Sequence, residues 1–313
     1  MWRTEHSWRG SVSGWRNVPT PPPRTSGRLV IQDDDGYLGG YQRAFALLQT
    51  KGRAANHWRG HNPAPFSPAV NTGRIGLAGR MTPEHLREIV RSGGEVCSHG
   101  RWHHGLTPNT LQDAVTSGAT RLPVDRVNRW QVPYRYEISG GGNSETVLVT
   151  DRDMDANEFV CEPLTNGYPS GSTLRVIEED ALEELQGTVD DLAEWGITAR
   201  NHVWAWNEND EVSRAWAATI FDSARGAGES PVSLPGQEPY DLRGANISTL
   251  NNAAIDAFLS ALIADDAVGF VYEHGYTNAL HYSRLVYLVD QALARGVRIV
   301  THSEAAAFLA ASD

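Results

Sequence analysis

The chain has 313 residues, of which 40% are hydrophobic and 21% are charged, so it can bury a core and is not a disordered chain. Its formal net charge of −11 disfavours nucleic acid as a partner, because phosphate binding needs a surplus of basic residues. We expect neither a membrane span nor a signal peptide, since the sequence has no long apolar run and no apolar segment near its start. Cys97 and Cys161 predict two free thiols.

Residues 1–27 are predicted to form an arm. Trp2, Trp8 and Trp15 lie among polar residues, and a proline-rich stretch at 19–23 follows them. Such a stretch favours an extended and stiff segment. Tryptophan is costly to leave in water, so we expect the arm to pack either on this chain or on a partner subunit.

From residue 28 onward, strand-like and helix-like segments alternate. A short buried strand is predicted at 29–31 and a helix at 41–48. A second helix at 83–91 begins with Thr82 as its N-cap and a proline at its first position, which is a typical helix start. A strand at 95–98 then leads into a histidine.

Between 117 and 178 the pattern changes to short β-branched or aromatic segments separated by turn residues. These predicted strands lie at 120–125, 134–139, 146–151, 158–162 and 173–177. Closely spaced strands with no helix between them are typical of an antiparallel sheet. We therefore interpret 117–178 as a small inserted β-module.

After 178 the alternation of helices and strands resumes. Helices are predicted at 181–195, 211–224, 252–263 and 283–294, strands at 197–206, 268–273 and 297–301, and a last helix is capped by Ser303. This alternation predicts a parallel sheet, either open or closed into a barrel. Segments 28–116 and 179–313 together have about the size of one (β/α)-barrel domain.

Three segments that could carry chemistry each follow a predicted strand, where α/β folds place their sites. The first contains Asp33, Asp34 and Asp35. Adjacent carboxylates repel one another, so this run indicates a bound cation or proton. A solvated acidic loop is the alternative that the sequence leaves open.

The other two segments contain histidines. One helical turn would bring His99 and His103 to the same side, a spacing typical of zinc sites, although it also arises by chance. His104 points elsewhere on such a turn and is not an expected ligand. His274 ends a predicted strand, and taken alone it could be a hydrogen-bonded core residue.

In this order, the three segments resemble the motifs of the polysaccharide deacetylase family, the NodB-like carbohydrate esterases. The stretch 32–36 is similar to the family's T-F-D-D-G motif, and 99–103 is similar to H-(S/T)-x-x-H with glycine at the Ser/Thr place. The stretch 271–274 resembles the family's late strand that ends in histidine, and 299–305 resembles its last strand and helix. The resemblance implies a distorted (β/α) barrel made of 28–116 and 179–313.

The resemblance also implies a reaction and the residues that perform it. Asp35, His99 and His103 would hold a divalent metal, with zinc as the expected ion, while Asp34 would act as general base and His274 as general acid. The reaction would remove acetyl groups from a glycan. Aromatic platforms for the sugar rings would come from Trp102, Trp204, Trp206 and Tyr276.

The sequence departs from the family pattern at several places. Asp33 stands where an aromatic residue is usual. The third motif, R-x-P-Y, is not found: the strand expected to carry it, at 202–207, lacks the arginine and proline, and the similar stretch at 129–134 lies in the β-module. No fourth motif is evident, and Asp241 is the candidate for it. These departures leave the rate and the choice of substrate open.

Two functions follow from these observations. The first is a metal-dependent deacetylase that acts on a surface or extracellular glycan. The second is a glycan-binding attachment component of a larger assembly, such as a virus tail or spike, with or without residual esterase activity. The aromatic arm, the β-module and the lack of an export signal motivate the second, in which arm and module would contact other subunits. The protein would then be virion-borne; a cytoplasmic location is the alternative.

Overall fold

A computed structural model of the chain describes residues 27–54, 63–228 and 232–311. The predicted arm lies outside the described residues except for Gly27, so its packing stays a prediction. Within these ranges the α-helices are α1 (Ala46–Ala54), α2 (Pro83–Arg91), α3 (Glu178–Glu194), α4 (Glu211–Ala217), α5 (Asn252–Ala264), α6 (Ala279–Ala294) and α7 (His302–Ala310). Among the described helices, none combines the length and the apolar character that crossing a bilayer requires.

The strands of the described ranges form two sheets. They are β1 (Arg28–Ile31), β2 (Ala69–Val70), β3 (Cys97–Ser98), β4 (Asn109–Thr110), β5 (Arg121–Pro123), β6 (Tyr134–Gly140), β7 (Asn143–Asp153), β8 (Glu158–Cys161), β9 (Thr173–Val176), β10 (Asn201–Val203), β11 (Ser223–Ala227), β12 (Val232–Ser233), β13 (Leu242–Asn246), β14 (Val268–Tyr272) and β15 (Arg298–Ile299).

The first sheet is a curled, mainly parallel sheet. In the described part of the chain it has nine strands in the order β15-β1-β14-β13-β11-β10-β3-β2, and β12 pairs antiparallel with β14. All five residues of β14 are buried, as expected for a strand covered on both faces. The backbone N–H groups of Ser67 and Ala69 donate to the carbonyl oxygens of Ile31 and Asp33 at 3.1 and 2.8 Å. These bonds bring the β2 edge back to the end of β1, and the predicted distorted (β/α) barrel is confirmed.

The second sheet is the predicted antiparallel β-module. Its strands follow the order β4-β9-β6-β7-β8-β5, and each pairs antiparallel with its neighbours. On β6, Tyr136 and Ile138 are buried while Arg135 and Glu137 are exposed, so one face packs and the other meets water. The sheet also takes in β4, which precedes residue 117. The proposed domain limits at 117 and 178 stay a prediction.

The module shares a hydrophobic core with the barrel. The rings of Trp130, Tyr136 and Phe159 stack with centroids 4.6 to 5.8 Å apart. The same cluster of buried residues continues into Leu185 of α3 and Trp204 after β10. Because this contact fixes the module to one side of the barrel, module loops lie beside the carboxyl ends of the barrel strands.

Four strands of the barrel sheet were not predicted, of which β2 and β12 have only two residues each. The helix predicted at 211–224 ends at Ala217, and β11 begins at Ser223. The fourth missed strand is β13, and it and β11 are the longer ones. Both strands contain glycine and arginine and lack the β-branched runs that signal a strand, so their composition does not separate them from helix or loop.

The last helix begins with a different cap from the one predicted. Thr301 is the N-cap: its hydroxyl accepts from the N–H of Glu304, and the Glu304 carboxylate accepts from the N–H of Thr301. Because Thr301 forms this reciprocal capping box, it caps the helix in place of the predicted Ser303. The hydroxyl of Ser303 instead donates to the Glu95 carboxylate at 2.8 Å.

His302 is a fully buried histidine at the start of α7. Its ring lies edge-on to Phe270 with centroids 4.9 Å apart, and its Nε2 is 3.1 Å from Ser223 Oγ. Burial, with a contribution from the charge of Arg225, lowers the pKa of His302 to about 3. An unfolded histidine titrates near pH ~6.5, so the unfolded chain binds more protons between these two values. The free energy of unfolding therefore falls as the pH drops below about 6.5.

We expect His302→Gln to reduce this fall in the free energy of unfolding at acidic pH. The buried imidazole contributes a slope of up to about 1.4 kcal/mol per pH unit below its unfolded pKa, and glutamine does not titrate. Urea unfolding of both proteins at several pH values between 7 and 4 measures the slope. An equal slope in the two proteins would show that His302 is not held neutral in the fold.

Candidate metal centre and cleft

The predicted site segments meet at the carboxyl ends of the barrel strands. Asp34 and Asp35 follow β1, His99 follows β3, and His274 lies two residues after β14. With His103 they line one cleft of about 510 Å³. The remaining wall comes from Arg74, Asn128, Gln131, Arg152, Met154, Trp206 and Asn207.

Asp35, His99 and His103 form a compact group in this cleft. Asp35 Oδ1 lies 3.7 Å from Nε2 of His99 and 3.4 Å from Nε2 of His103. One ligand atom from each residue lies within 4.8 Å of the others. Nitrogen and oxygen ligands lie about 2.0–2.2 Å from a zinc ion, so atoms at this spacing can share one cation.

The loop between the two histidines is not helical, so the predicted helical turn is wrong. Gly100 and His103 both have left-handed backbones, with φ of 75° and 68°. These bends fold the loop back and place the two imidazole centroids 4.7 Å apart. A Cβ at position 100 would lie 2.5 Å from Glu184 Oε1, which explains why glycine stands at the Ser/Thr place of the motif.

Glu184 of α3 holds this loop in place. Its Oε1 accepts from the backbone N–H groups of Trp102 and His104 at 2.9 and 3.0 Å, and Tyr134 Oη donates to its Oε2 at 2.8 Å. Burial raises the pKa of Glu184 to about 7, although these hydrogen bonds oppose the rise. The carboxyl thus links helix, ligand loop and module. An acid on an acid-rich helix gives no such signal in the sequence.

His104 lies outside the ligand group, as expected. Its Nδ1 accepts from the N–H of Gln131 at 2.8 Å, its Nε2 is 3.2 Å from Tyr136 Oη, and its ring stacks on Tyr134 with centroids 4.2 Å apart. These contacts all go to the module. The residue next to the ligand His103 therefore joins the loop to the module.

The donor set fits the divalent metal that the resemblance implies. His99 Nδ1 donates to the Val203 carbonyl at 2.8 Å, so its Nε2 lone pair faces Asp35. Burial lowers the pKa of His99 and lowers that of His103 to about 3, which keeps both rings neutral and able to ligate. Asp35 Oδ1 is buried and has no hydrogen-bond partner among the described residues. Two neutral imidazoles and a carboxylate are ligands that zinc accepts.

Asp35 is an anion in this arrangement. Burial alone would raise the pKa of Asp35, but the nearby His99 and His103, together with His274 and Arg80, lower it below its usual value. Nη1 of Arg80 also donates to the backbone carbonyl of Asp35 at 2.7 Å. The backbone of Asp35 has a φ of 70°, which turns the side chain towards the imidazoles.

Asp34 is paired with an arginine that the sequence did not reveal. Arg225 of β11 has no exposed surface, and its Nη2 donates to Asp34 Oδ1 at 2.5 Å. It also donates to Gln32 Oε1 at 3.1 Å and to Asn207 Oδ1 at 2.7 Å. The guanidinium lies over the ring of Tyr272, 4.2 Å from the centroid. The only sequence signal was a charged residue among small ones, in a segment predicted to end a helix.

Asp33 lies beneath the cleft and not in it. Its Oδ1 accepts from the N–H of Gly275, in the loop just after His274. Burial, with the neighbouring charges of Asp34 and Asp35, raises the pKa of Asp33 well above its usual value. The hydrogen bond from Gly275 ties the β1 end to the loop of His274.

His274 is the most exposed of the predicted site histidines, with 43% of its side chain accessible. Its Nδ1 lies 4.0 Å from Glu273 Oε1, and the other oxygen of Glu273 is 3.0 Å from His281 Nδ1. The N–H of His274 also donates to Glu273 Oε1 at 3.0 Å. The Glu273 carboxylate thus lies beside the rings of both His274 and His281.

The four predicted sugar platforms divide into two pairs. Trp206 is 36% exposed, lines the cleft and has its ring centroid 4.9 Å from that of His103. Trp102 is 45% exposed but lines a neighbouring groove beside the module. The prediction is wrong for Trp204 and Tyr276, which are buried in the core. The Trp204 indole donates to the Tyr240 carbonyl, and the Tyr276 hydroxyl donates to that of Gln32.

Comparisons with known proteins identify the architecture. The sequence matches no protein-family model and no curated protein. Among solved structures, it is similar to a putative polysaccharide deacetylase from Mycobacterium smegmatis, with a TM-score of 0.51 and 12% identity over 93% of this chain and 94% of that one. The chain has the polysaccharide deacetylase fold. A family 4 carbohydrate esterase from Streptomyces lividans in complex with acetate aligns with a TM-score of 0.47 and 13% identity, over 88% and 92% of the two chains.

The deacetylase fold is the one that the sequence motifs implied. The structure also shows where the candidates for the third and fourth family motifs lie. The arginine beside Asp34 comes from β11, whereas Arg129 of the module pairs with Glu208. Asp241 lies 3.3 Å from the side-chain amide of Asn209 and is not among the residues that line the cleft. Its contacts therefore give no support for a catalytic role.

Proposed function

We propose that this protein is a metal-dependent deacetylase that hydrolyses acetyl groups on a surface or extracellular glycan, with zinc as its expected metal. One observation carries the proposal: the ligand group of Asp35, His99 and His103 shares a cleft with a buried carboxylate, Asp34, and a solvent-accessible imidazole, His274. A metal site of three protein ligands that leaves positions for water and substrate is typical of hydrolytic centres.

A divalent metal bound there would polarise the acetyl carbonyl and lower the pKa of a coordinated water. The residues of this chain supply the proton transfers. Asp34 accepts the proton of the attacking water, and Nη2 of Arg225, 2.5 Å from Oδ1 of Asp34, holds this carboxylate in position. His274 gives a proton to the leaving nitrogen or oxygen as the acetyl bond breaks. The products are acetate and a free amine or hydroxyl.

Glycan binding is supported by the exposed face of Trp206. Its indole donates to the Arg129 carbonyl at 3.1 Å, which fixes the ring at the rim of the metal group. A fixed aromatic face is suited to stack on the C–H face of a sugar ring. Trp102 lies in the adjacent groove, and Gln131 lines both that groove and the cleft, so one extended chain can reach both rings.

The attachment role for a virus tail or spike depends on the arm, which lies outside the described residues. No contact within the described ranges favours it over a free-standing enzyme. It therefore stays a prediction, as do the extracellular, virion-borne and cytoplasmic locations and the contacts with other subunits.

Removal and return of the metal test the proposed function. We expect the purified chain to carry about one divalent ion, since it offers one three-residue ligand group of this kind in its described part. Chelator treatment followed by dialysis should abolish acetate release from acetylated oligosaccharides, and Zn²⁺ should restore it. Elemental analysis and an acetate assay measure the two quantities. Acetate release that persists in the metal-free chain would overturn the proposal.

A further inference from the structure

Two arginines line the candidate cleft without a carboxylate partner. Arg74 follows β2, and Arg152 lies on β7 of the module. Nη2 of Arg74 donates to the Trp102 carbonyl at 3.2 Å, and Nη1 of Arg152 donates to the Trp130 carbonyl. In the part of the chain that the structure describes, neither forms an ion pair with an aspartate or glutamate.

Other arginines near the module are paired. Arg121 contacts Asp153 and Glu158, and Arg126 contacts Glu208. The chain as a whole has 38 acidic against 27 basic residues. Carboxylates are therefore abundant, yet among the described residues the two arginines of the cleft contact only backbone carbonyl oxygens. A partly buried charge without a counterion costs free energy, and a ligand that brings the opposite charge offsets this cost.

The carboxylates of the cleft itself do not supply that opposite charge. Asp34 is bound to the buried Arg225, and Asp35 belongs to the metal ligand group. A bound divalent cation would make the cleft still more positive. Arg74 and Arg152 line the same cleft as His103. Arg74 and Arg152 are therefore the arginines of the cleft wall that no described carboxylate neutralises, in a chain whose net charge is −11.

We propose that the glycan substrate is acidic, and that Arg152 and Arg74 bind a carboxylate or sulfate group on the acetylated sugar or on its neighbour. The planar guanidinium matches a carboxylate or sulfate with two parallel hydrogen bonds. This inference rests on the proposed function and adds the substrate class. It also gives the inserted module a role, because Arg152 belongs to its longest strand.

The test measures binding, which does not require turnover. The probes are three oligosaccharides of equal length: a galacturonate oligomer, a sulfated neutral oligomer and the unmodified neutral oligomer. We expect calorimetry at low salt to show about tenfold or tighter binding for at least one acidic probe than for the neutral one, since one desolvated charge pair is worth roughly 1.4 kcal/mol or more. Added salt should shrink the difference.

Charge-neutral variants locate the effect. Arg152→Gln and Arg74→Gln should each lower the affinity for the acidic probe by a larger factor than the affinity for the neutral probe, so that most of the preference is lost. Arg200→Gln is the matched control: it makes the same charge change at a side chain that is 66% exposed, immediately before β10 and away from the cleft. Arg152→Lys keeps the charge without the planar fork and should recover part of the preference.

The outcomes separate this inference from the proposed function. Equal binding of neutral and acidic probes, or an unchanged preference in both glutamine variants that unfold at the wild-type temperature, would overturn the acidic substrate. Acetylated forms of the same three probes test turnover. Arginine-dependent binding without acetate release from these acetylated forms would keep the acidic ligand and refute the deacetylase. Acetate release with preference for the neutral acetylated probe would keep the deacetylase and refute the acidic substrate. Tighter binding of the sulfated than of the galacturonate probe would support the same arginines with sulfate as the group.

Discussion

Asp35→Asn and His103→Ala are each expected to abolish metal binding and acetate release together. The amide of asparagine carries no negative charge, and alanine removes an imidazole whose Nε2 lies 3.4 Å from Asp35 Oδ1. With three protein ligands in the group, the loss of one should weaken metal binding by more than the roughly 10–100-fold typical of an outer-shell partner. Elemental analysis of the purified variants and an acetate assay measure both effects.

Asp33→Asn is the matched control for this prediction. It makes the same chemical change two residues away on the same segment, at a carboxyl whose pKa burial raises well above its usual value. Asparagine keeps an oxygen that can accept from the N–H of Gly275. We therefore expect Asp33→Asn to retain its metal and its activity. Normal metal content in Asp35→Asn would remove Asp35 from the ligand set.

The convergence of Asp35, His99 and His103 could be predicted from the sequence because each contribution is local. The aspartate run and the two histidines stand in short segments that directly follow apolar strands, and the carboxyl ends of parallel strands meet at one edge. The backbone that joins the histidines could not be predicted, since the bend at Gly100 depends on contact with Glu184 of a distant helix.

The residues that support the site could not be predicted for a related reason. Arg225 lies 191 positions from its partner Asp34, in a strand whose small residues carry no strand signal. Trp204 and Tyr276 illustrate the opposite error. Tryptophan and tyrosine have an apolar body and one polar group, so they serve equally well as sugar platforms and as core residues with one hydrogen bond. Only the packing shows that both rings are buried.

Arg225→Met is expected to lower the free energy of unfolding by about 3–5 kcal/mol, because it leaves the Asp34 carboxylate buried without its partner. Both side chains are almost fully inaccessible, at 0% and 2% exposure, so water cannot replace the guanidinium. The variant also leaves Gln32 and Asn207 without the donor they contact. Activity should fall too, since Arg225 no longer holds the Asp34 carboxylate in position to accept a proton.

The double variant Asp34→Asn/Arg225→Met separates the charge effect from lost packing. Removing the carboxylate as well removes the unpaired charge, so the double variant should be more stable than Arg225→Met alone, while it stays inactive because it has no base. Denaturant unfolding of the wild type, both single variants and the double variant gives the coupling free energy. Metal content should be normal in all four, because neither residue belongs to the ligand group. A double variant no more stable than Arg225→Met would show that packing of the guanidinium on Tyr272, and not its charge, stabilises this part of the barrel.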